Sequence, residues 1–128
     1  MRTALVFIVV LSCASCSPTG PSQNLSGHWI APAVGHTAQV GFTLMQSGDM
    51  ITGKACAKDQ GILLYKDAPV SGEYPHVEFT VAASQTQPCC AQMAGTHFSG
   101  KQDGTKDIVG SYFTFDLRFK RSMTSLCP

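Results

Sequence analysis

The stretch Leu25-Ser26-Gly27-His28-Trp29 holds the chain's only tryptophan. Its apolar-x-Gly pattern returns at Ile51-Thr52-Gly53, Val70-Ser71-Gly72, Phe98-Ser99-Gly100 and Ile108-Val109-Gly110. Each copy lies in a segment that reads as a β-strand, and glycine inside a strand marks a bend, a bulge or a close backbone approach. Repeated from strand to strand, it describes a sheet curled until it closes. The fold class expected is therefore all-β, a small antiparallel up-and-down barrel of about eight strands.

Working outward from that stretch, Leu25 to Ile30 forms the first strand. Thr37 to Gln46 alternates cleanly, with Ala38, Val40, Phe42 and Leu44 on one face. Ser47-Gly48-Asp49 makes a hairpin turn to a strand from Met50 to Ala57, and Lys58 to Gly61 turns the chain into a short strand, Ile62 to Tyr65. Val70 to Tyr74 and Val77 to Ala83 pair around Pro75-His76, with Val77, Phe79 and Val81 sharing a face. A polar loop, Ser84 to Ala91, carries Pro88-Cys89-Cys90. Met93 to Lys101 is the next strand, and Asp107 to Arg121 reads as one long last strand. In that strand Phe113, Phe115, Leu117 and Phe119 share a face, out of phase with Ile108 and Gly110, so a bulge near Gly110 to Tyr112 is expected to restore the alternation. No segment after the N-terminus has helical periodicity.

The N-terminus sets the compartment. Met1-Arg2 is followed by an apolar run, Thr3 to Leu11, too short to span a bilayer but of the length of a signal-peptide core. The following Leu11-Ser12-Cys13-Ala14-Ser15-Cys16 resembles the lipobox of bacterial lipoproteins, in which small residues precede a cysteine that is lipidated and becomes the first residue of the mature chain. Cys16 fits as acceptor better than Cys13; secretion with ordinary cleavage nearby is the other reading. Neither cysteine is followed by Asp, which by the family's sorting rule implies outer-membrane retention. The expected organisation is a signal peptide over 1–15, lipidated Cys16 with a Pro- and Ser-rich tether over 16–24, and a barrel domain over 25–128. The expected location is the bacterial cell envelope, lipid-anchored to the outer membrane and facing the periplasm.

On the first strand, Gly27-His28-Trp29 resembles the G-x-W signature of the calycin superfamily, which includes lipocalins, fatty-acid-binding proteins and avidins. The resemblance implies that Trp29 plugs one barrel end beneath a basic residue of the last strand. Arg121, in phase with Phe119, is the expected partner, with Arg118 the out-of-phase alternative. Trp29 is equally readable as a core residue of another small barrel.

The cysteine count of six suits an oxidising compartment. Removing Cys13 and lipidating Cys16 leaves Cys56, Cys89, Cys90 and Cys127, enough for two disulfides. Adjacent cysteines bond each other with difficulty, so Cys89 and Cys90 are each expected to take one of Cys56 and Cys127, in either assignment. Each bridge would add about 3–4 kcal/mol on the chain-entropy view.

A net charge of +1 and the lack of basic runs give no case for nucleic acid. The four cysteines left after removal of Cys13 and lipidation of Cys16 form no C-x-x-C, and the chain has no H-E-x-x-H, no G-x-S-x-G and no phosphate loop, so no metal, cofactor or catalytic constellation is expected. Glu73 and Glu78 flank a turn and read as solvated charge; the four histidines, His28, His36, His76 and His97, lie on separate segments. Two functional readings follow. One is a lipid-anchored envelope barrel binding a small apolar ligand, lined by Phe42, Leu44, Phe79, Val81, Phe113 and Phe115. The other is a protein-interaction module, an inhibitor or envelope assembly factor, with a filled barrel.

Overall fold

The computed structural model describes residues 24–32, 37–104 and 106–128. The signal segment, Cys16, His36 and all of the tether but Asn24 lie outside the described residues. Eight strands are seen among those described: β1 Gly27–Pro32, β2 Ala38–Ser47, β3 Met50–Asp59, β4 Ile62–Glu73, β5 His76–Thr80, β6 His97–Asp103, β7 Asp107–Tyr112 and β8 Phe115–Ser122. Each pairs antiparallel with the next, and β8 returns to β1 through Trp29↔Arg121, which closes the barrel. Closure leaves no edge strand to template association with another chain.

The eight-stranded count arises from a different partition than the sequence suggests. The two segments read as separate strands over 62–65 and 70–74 are one strand, β4, interrupted by a bulge. Its register against β3 shifts between Ala55 and Lys58, and Asp67 adopts a left-handed φ of 57°. The single long strand expected over 107–121 is instead a hairpin. Tyr112 pairs with Phe115 across the two-residue turn Phe113-Thr114, and Phe113 has φ 55°. The turn, not a bulge, resolves the phase conflict. Ile108 and Tyr112 are buried on β7, two residues are spent turning, and Leu117 and Phe119 are buried on β8.

The recurring glycines have a steric reason. Gly100 and Gly110 face each other across β6 and β7. A Cβ on Gly110 would lie 2.3 Å from the Ser99 carbonyl oxygen and 2.4 Å from Gly100 Cα. Gly53 and Gly72 are equally tight, with Thr43 O at 2.1 Å and His76 O at 2.0 Å from the position of a Cβ. Strands coiled this tightly bring backbones together where any side chain would collide.

The inward positions form one apolar core. Four phenylalanines fill its middle: Phe42 lies 4.2 Å from Phe119, Phe119 5.1 Å from Phe98, and Phe98 5.6 Å from Phe79, centroid to centroid. Aromatic pairs at such distances add to the area they bury. Each large side chain fully withdrawn from water contributes about 1.5–3 kcal/mol, so this cluster is a substantial part of what stabilises the domain.

Two segments brace the barrel from outside. The first fills a gap in the wall. β4 meets β5 only at Val70↔Phe79 and Ser71↔Glu78. The freed half of β4 is instead met by the chain between β5 and β6, which folds into two short 3₁₀ helices, Ala83–Gln85 and Pro88–Met93. Tyr65 bridges to Thr86, and the Gln87 amide donates to Leu64 O at 2.9 Å. The second is the C-terminal tail, which lies on the outer wall over Gly41, with Leu126 occupying the space a Cβ there would need.

The disulfides correct the expected pairing. Cys56 bonds Cys127, and the neighbours Cys89 and Cys90 bond each other. Position explains the difference. Cys56 sits opposite Gly41 in the β2–β3 register, and Cys127 Sγ is 3.5 Å from Gly41 O, so the tail delivers its cysteine directly to β3. Cys89 and Cys90 belong to the segment docked on β4, with Cys89 Sγ 4.0 Å from Leu63 O. A non-helical kink at Cys90 (φ −137°, ψ 36°) separates the two turns of that segment.

Candidate functional site

The two barrel ends differ in chemistry. At the end where β1 begins, Trp29 is 1% exposed and its Nε1 donates to Leu25 O at 2.9 Å. The Arg121 guanidinium lies over the indole, 4.5 Å from the ring centroid. Its Nη1 donates to Ser26 O at 2.8 Å and its Nη2 to Asn24 O. Gly27 adopts φ +130°, and a Cβ there would stand 3.2 Å from Arg121 Nη1. Gly27, Trp29 and Arg121 are thus brought together as one closure. Arg118 is elsewhere, donating to Asp103 at 3.1 Å and Asp107 at 2.6 Å on the outer face.

Among the described residues the opposite end is open. A cup of about 300 Å³ sits there, walled by Val40, Ala57, Leu64, Met93, Tyr112 and Phe115, with Asp59 and Phe113 at its lip. Strand ends place these side chains. Val40 and Ala57 are register partners on β2 and β3, Leu64 comes from the early half of β4, and Tyr112 and Phe115 flank the β7–β8 turn. Met93 closes the second 3₁₀ helix and packs on the core. Asp59 accepts a hydrogen bond from Thr37 Oγ1. The Tyr65 and Tyr112 hydroxyls lie 3.1 Å apart. Burial pushes both phenols above the ordinary tyrosine range, Tyr65 further, so both are neutral at any physiological pH.

Against the sequence expectation, the six lining residues divide. Phe42, Leu44, Phe79 and Val81 are buried, at 1–2% exposure, and fill the barrel beneath the cup rather than line it. Phe115 does line the cup. Phe113 does not project inward from a strand. It is 56% exposed on the turn and borders the cup from the rim, its ring 5.0 Å from Tyr112. The physical reason is volume: an eight-stranded barrel has room for its own side chains or one small ligand, and four phenylalanines take the middle. Tyr65, Tyr112, Leu64 and Met93 were missed. Leu64 and Tyr65 lay in what read as a minor strand, Met93 at the start of another, and Tyr112 inside an expected bulge.

The remaining polar candidates are dispersed. His28 Nδ1 lies 2.8 Å from Thr43 Oγ1, and His97 Nδ1 lies 2.8 Å from Thr80 Oγ1. Glu78 faces Ser71 rather than Glu73 across the β4–β5 pair. Among the described residues no three metal-ligating side chains gather.

No family model, no curated protein and no solved structure matches this chain.

Proposed function

We propose that this chain is a lipid-anchored barrel of a bacterial cell envelope that acts by binding, not catalysis, and takes a small apolar ligand in the cup opposite the Trp29 closure. One observation carries the reading: one barrel end is sealed by Arg121 over Trp29, and the other opens into an apolar cup of about 300 Å³. Ligand sites are concave and mostly apolar with few polar groups, and this volume stands at the small end of their range. A Gly-x-Trp first strand, a last-strand arginine across the indole and a closed eight-stranded barrel support placing it among calycin-like barrels. Anchoring through Cys16, in the outer membrane and facing the periplasm, rests on the lipobox-like sequence.

The test is native mass spectrometry of the protein extracted gently from its own envelope. A discrete added mass beyond the lipid on Cys16, lost on denaturation, is the expected result. A bare lipidated mass overturns the ligand reading.

A second reading, a protein-interaction module such as an inhibitor or assembly factor, is favoured by the solid interior below the cup. Its test is cross-linking in the envelope, where a single abundant adduct of defined mass, with no bound small molecule, would establish it.

A further inference from the structure

Tyr65 on β4 and Tyr112 at the end of β7 bring their hydroxyls to 3.1 Å, and the two residues are 0% and 3% exposed. Their surroundings are apolar. Phe79 lies 6.4 Å from Tyr65 and 6.5 Å from Tyr112, and Phe115 lies 5.7 Å from Tyr112. Two phenols carry two donor protons, and the bond between them uses one. Among the described residues each hydroxyl is the other's hydrogen-bond partner, so the second proton has no acceptor among them. A buried donor left without an acceptor is unfavourable.

The lining gives that proton an outlet. Tyr112 is among the residues lining the cup and Tyr65 is not. Both protons are spent if Tyr65 donates to Tyr112 and Tyr112 donates into the cup. A hydroxyl that already accepts a hydrogen bond is also polarised into a better donor. The one acidic or basic side chain among the lining residues described is Asp59. An anionic ligand would therefore leave water for an apolar site whose described lining offers no cationic side chain and sets a carboxyl group at its lip.

We propose that the cup selects a neutral apolar molecule carrying one hydrogen-bond acceptor, such as a ketone, ester or ether oxygen, held by the Tyr112 hydroxyl with Tyr65 behind it, and that it rejects carboxylates of the same shape. This rests on the reading of the cup as a ligand site. The volume is about twice that of an apolar cavity that accommodates benzene, so a bicyclic ring suits it.

The experiment titrates the purified full chain by calorimetry with three molecules of one body: naphthalene, 2-acetylnaphthalene and 2-naphthoate. The ketone is expected to bind about tenfold more tightly than naphthalene, the scale of one neutral hydrogen bond, and more tightly than the carboxylate by at least as much. Tyr112→Phe should bring the ratio of ketone to naphthalene affinity down to about one. Tyr65→Phe, which keeps the donor but not its polarising partner, should retain part of the preference. Equal binding of ketone and naphthalene to the native chain, tighter binding of the naphthoate, or an unchanged ratio in Tyr112→Phe overturns the inference while leaving the cup a ligand site. No binding of any of the three overturns the ligand reading itself. The native-chain comparison needs no variant, so it decides the matter even if a tyrosine substitution fails to fold.

Discussion

Arg121 and Trp29 are register partners across the β1–β8 seam, and the guanidinium rests 4.5 Å from the indole centroid. The contact joins the two strands whose pairing closes the barrel, and it anchors the chain leading into β1 through the carbonyls of Asn24 and Ser26. A cation over an indole at a solvated site contributes about 0.5–1 kcal/mol, and a hydrogen bond adds about as much. Arg121→Ala is therefore expected to lower unfolding stability by about 1–2 kcal/mol. Arg121→Lys should recover only part, because an ammonium lacks the planar fork that reaches two carbonyls while stacking. Urea unfolding followed by tryptophan fluorescence reads this directly, since Trp29 is the single tryptophan. An unchanged midpoint in Arg121→Ala would remove the seam from the account.

The C-terminal tail is held twice, by the Cys56–Cys127 bond and by Leu126 over Gly41. The bond spans 71 residues, and constraining a loop of that length should contribute about 4 kcal/mol on the chain-entropy model. The double substitution Cys56→Ala with Cys127→Ala is expected to lose that amount in denaturant unfolding. The steric contact is testable separately. A Cβ at position 41 would lie 2.7 Å from Leu126 Cβ, so Gly41→Ala should destabilise by about 1–3 kcal/mol. Leu126→Gly, which deletes that atom, should relieve most of the penalty in a double-mutant cycle. Additive effects would mean the tail does not press on β2. Proteolysis without reduction, followed by mass analysis, checks the other bridge: one peptide should contain both Cys89 and Cys90, lighter by two hydrogens than its reduced form.

Gly110 is the tightest test of why glycine recurs along the strands. Its missing Cβ lets the Ser99 carbonyl and Gly100 Cα approach to 2.3 and 2.4 Å of where that atom would be. Backbone cannot rotate away as a side chain can, so Gly110→Ala should cost about 1–3 kcal/mol or more, measured as a lowered thermal midpoint. Gly48→Ala provides the control: nothing lies within 4 Å of a Cβ there, but its φ of +59° strains alanine. Its loss should be about 1 kcal/mol. A loss at Gly110 no larger than that at Gly48 would remove close approach as the reason for this glycine.

How much of this was legible follows from what the chain alone can express. Apolar-x-Gly in successive segments announced a curled, closed sheet, because the steric need for glycine is local and leaves a residue in the sequence. Trp29 and Arg121 were legible as a pair through the resemblance of Gly27-His28-Trp29 to the calycin signature, which implies a basic last-strand residue across the indole, and through Arg121 being in phase with Phe119. The cup was not. Its walls come from strand ends and from Met93 on a 3₁₀ helix, which become neighbours only when the barrel closes. The Phe113-Thr114 turn was hidden by an unbroken alternation of phenylalanines, a pattern with no glycine, asparagine or proline to mark the reversal. The disulfide pairing depended on where the tail crosses the outer wall, which no local pattern encodes.

Acid should loosen the β6–β8 face. The Asp107 carboxylate accepts a hydrogen bond from Arg118 Nη1 at 2.6 Å and lies 3.3 Å from Lys120 Nζ. The Arg118 hydrogen bond, followed by Lys120, holds the Asp107 carboxyl below its ordinary range, and the same contact raises Arg118. The sign follows from linkage. The folded chain binds this proton less readily than the unfolded chain does, so the stabilisation is fully present above the unfolded value of about 3.9. It is lost as pH falls through the lower folded value. Urea midpoints measured from about pH 5 down to about pH 2 should fall more steeply for the native chain than for Asp107→Asn. The difference should shrink in high salt, because the Arg118 and Lys120 side chains face solvent. Parallel acid limbs for the two proteins would assign the acid sensitivity to other carboxylates.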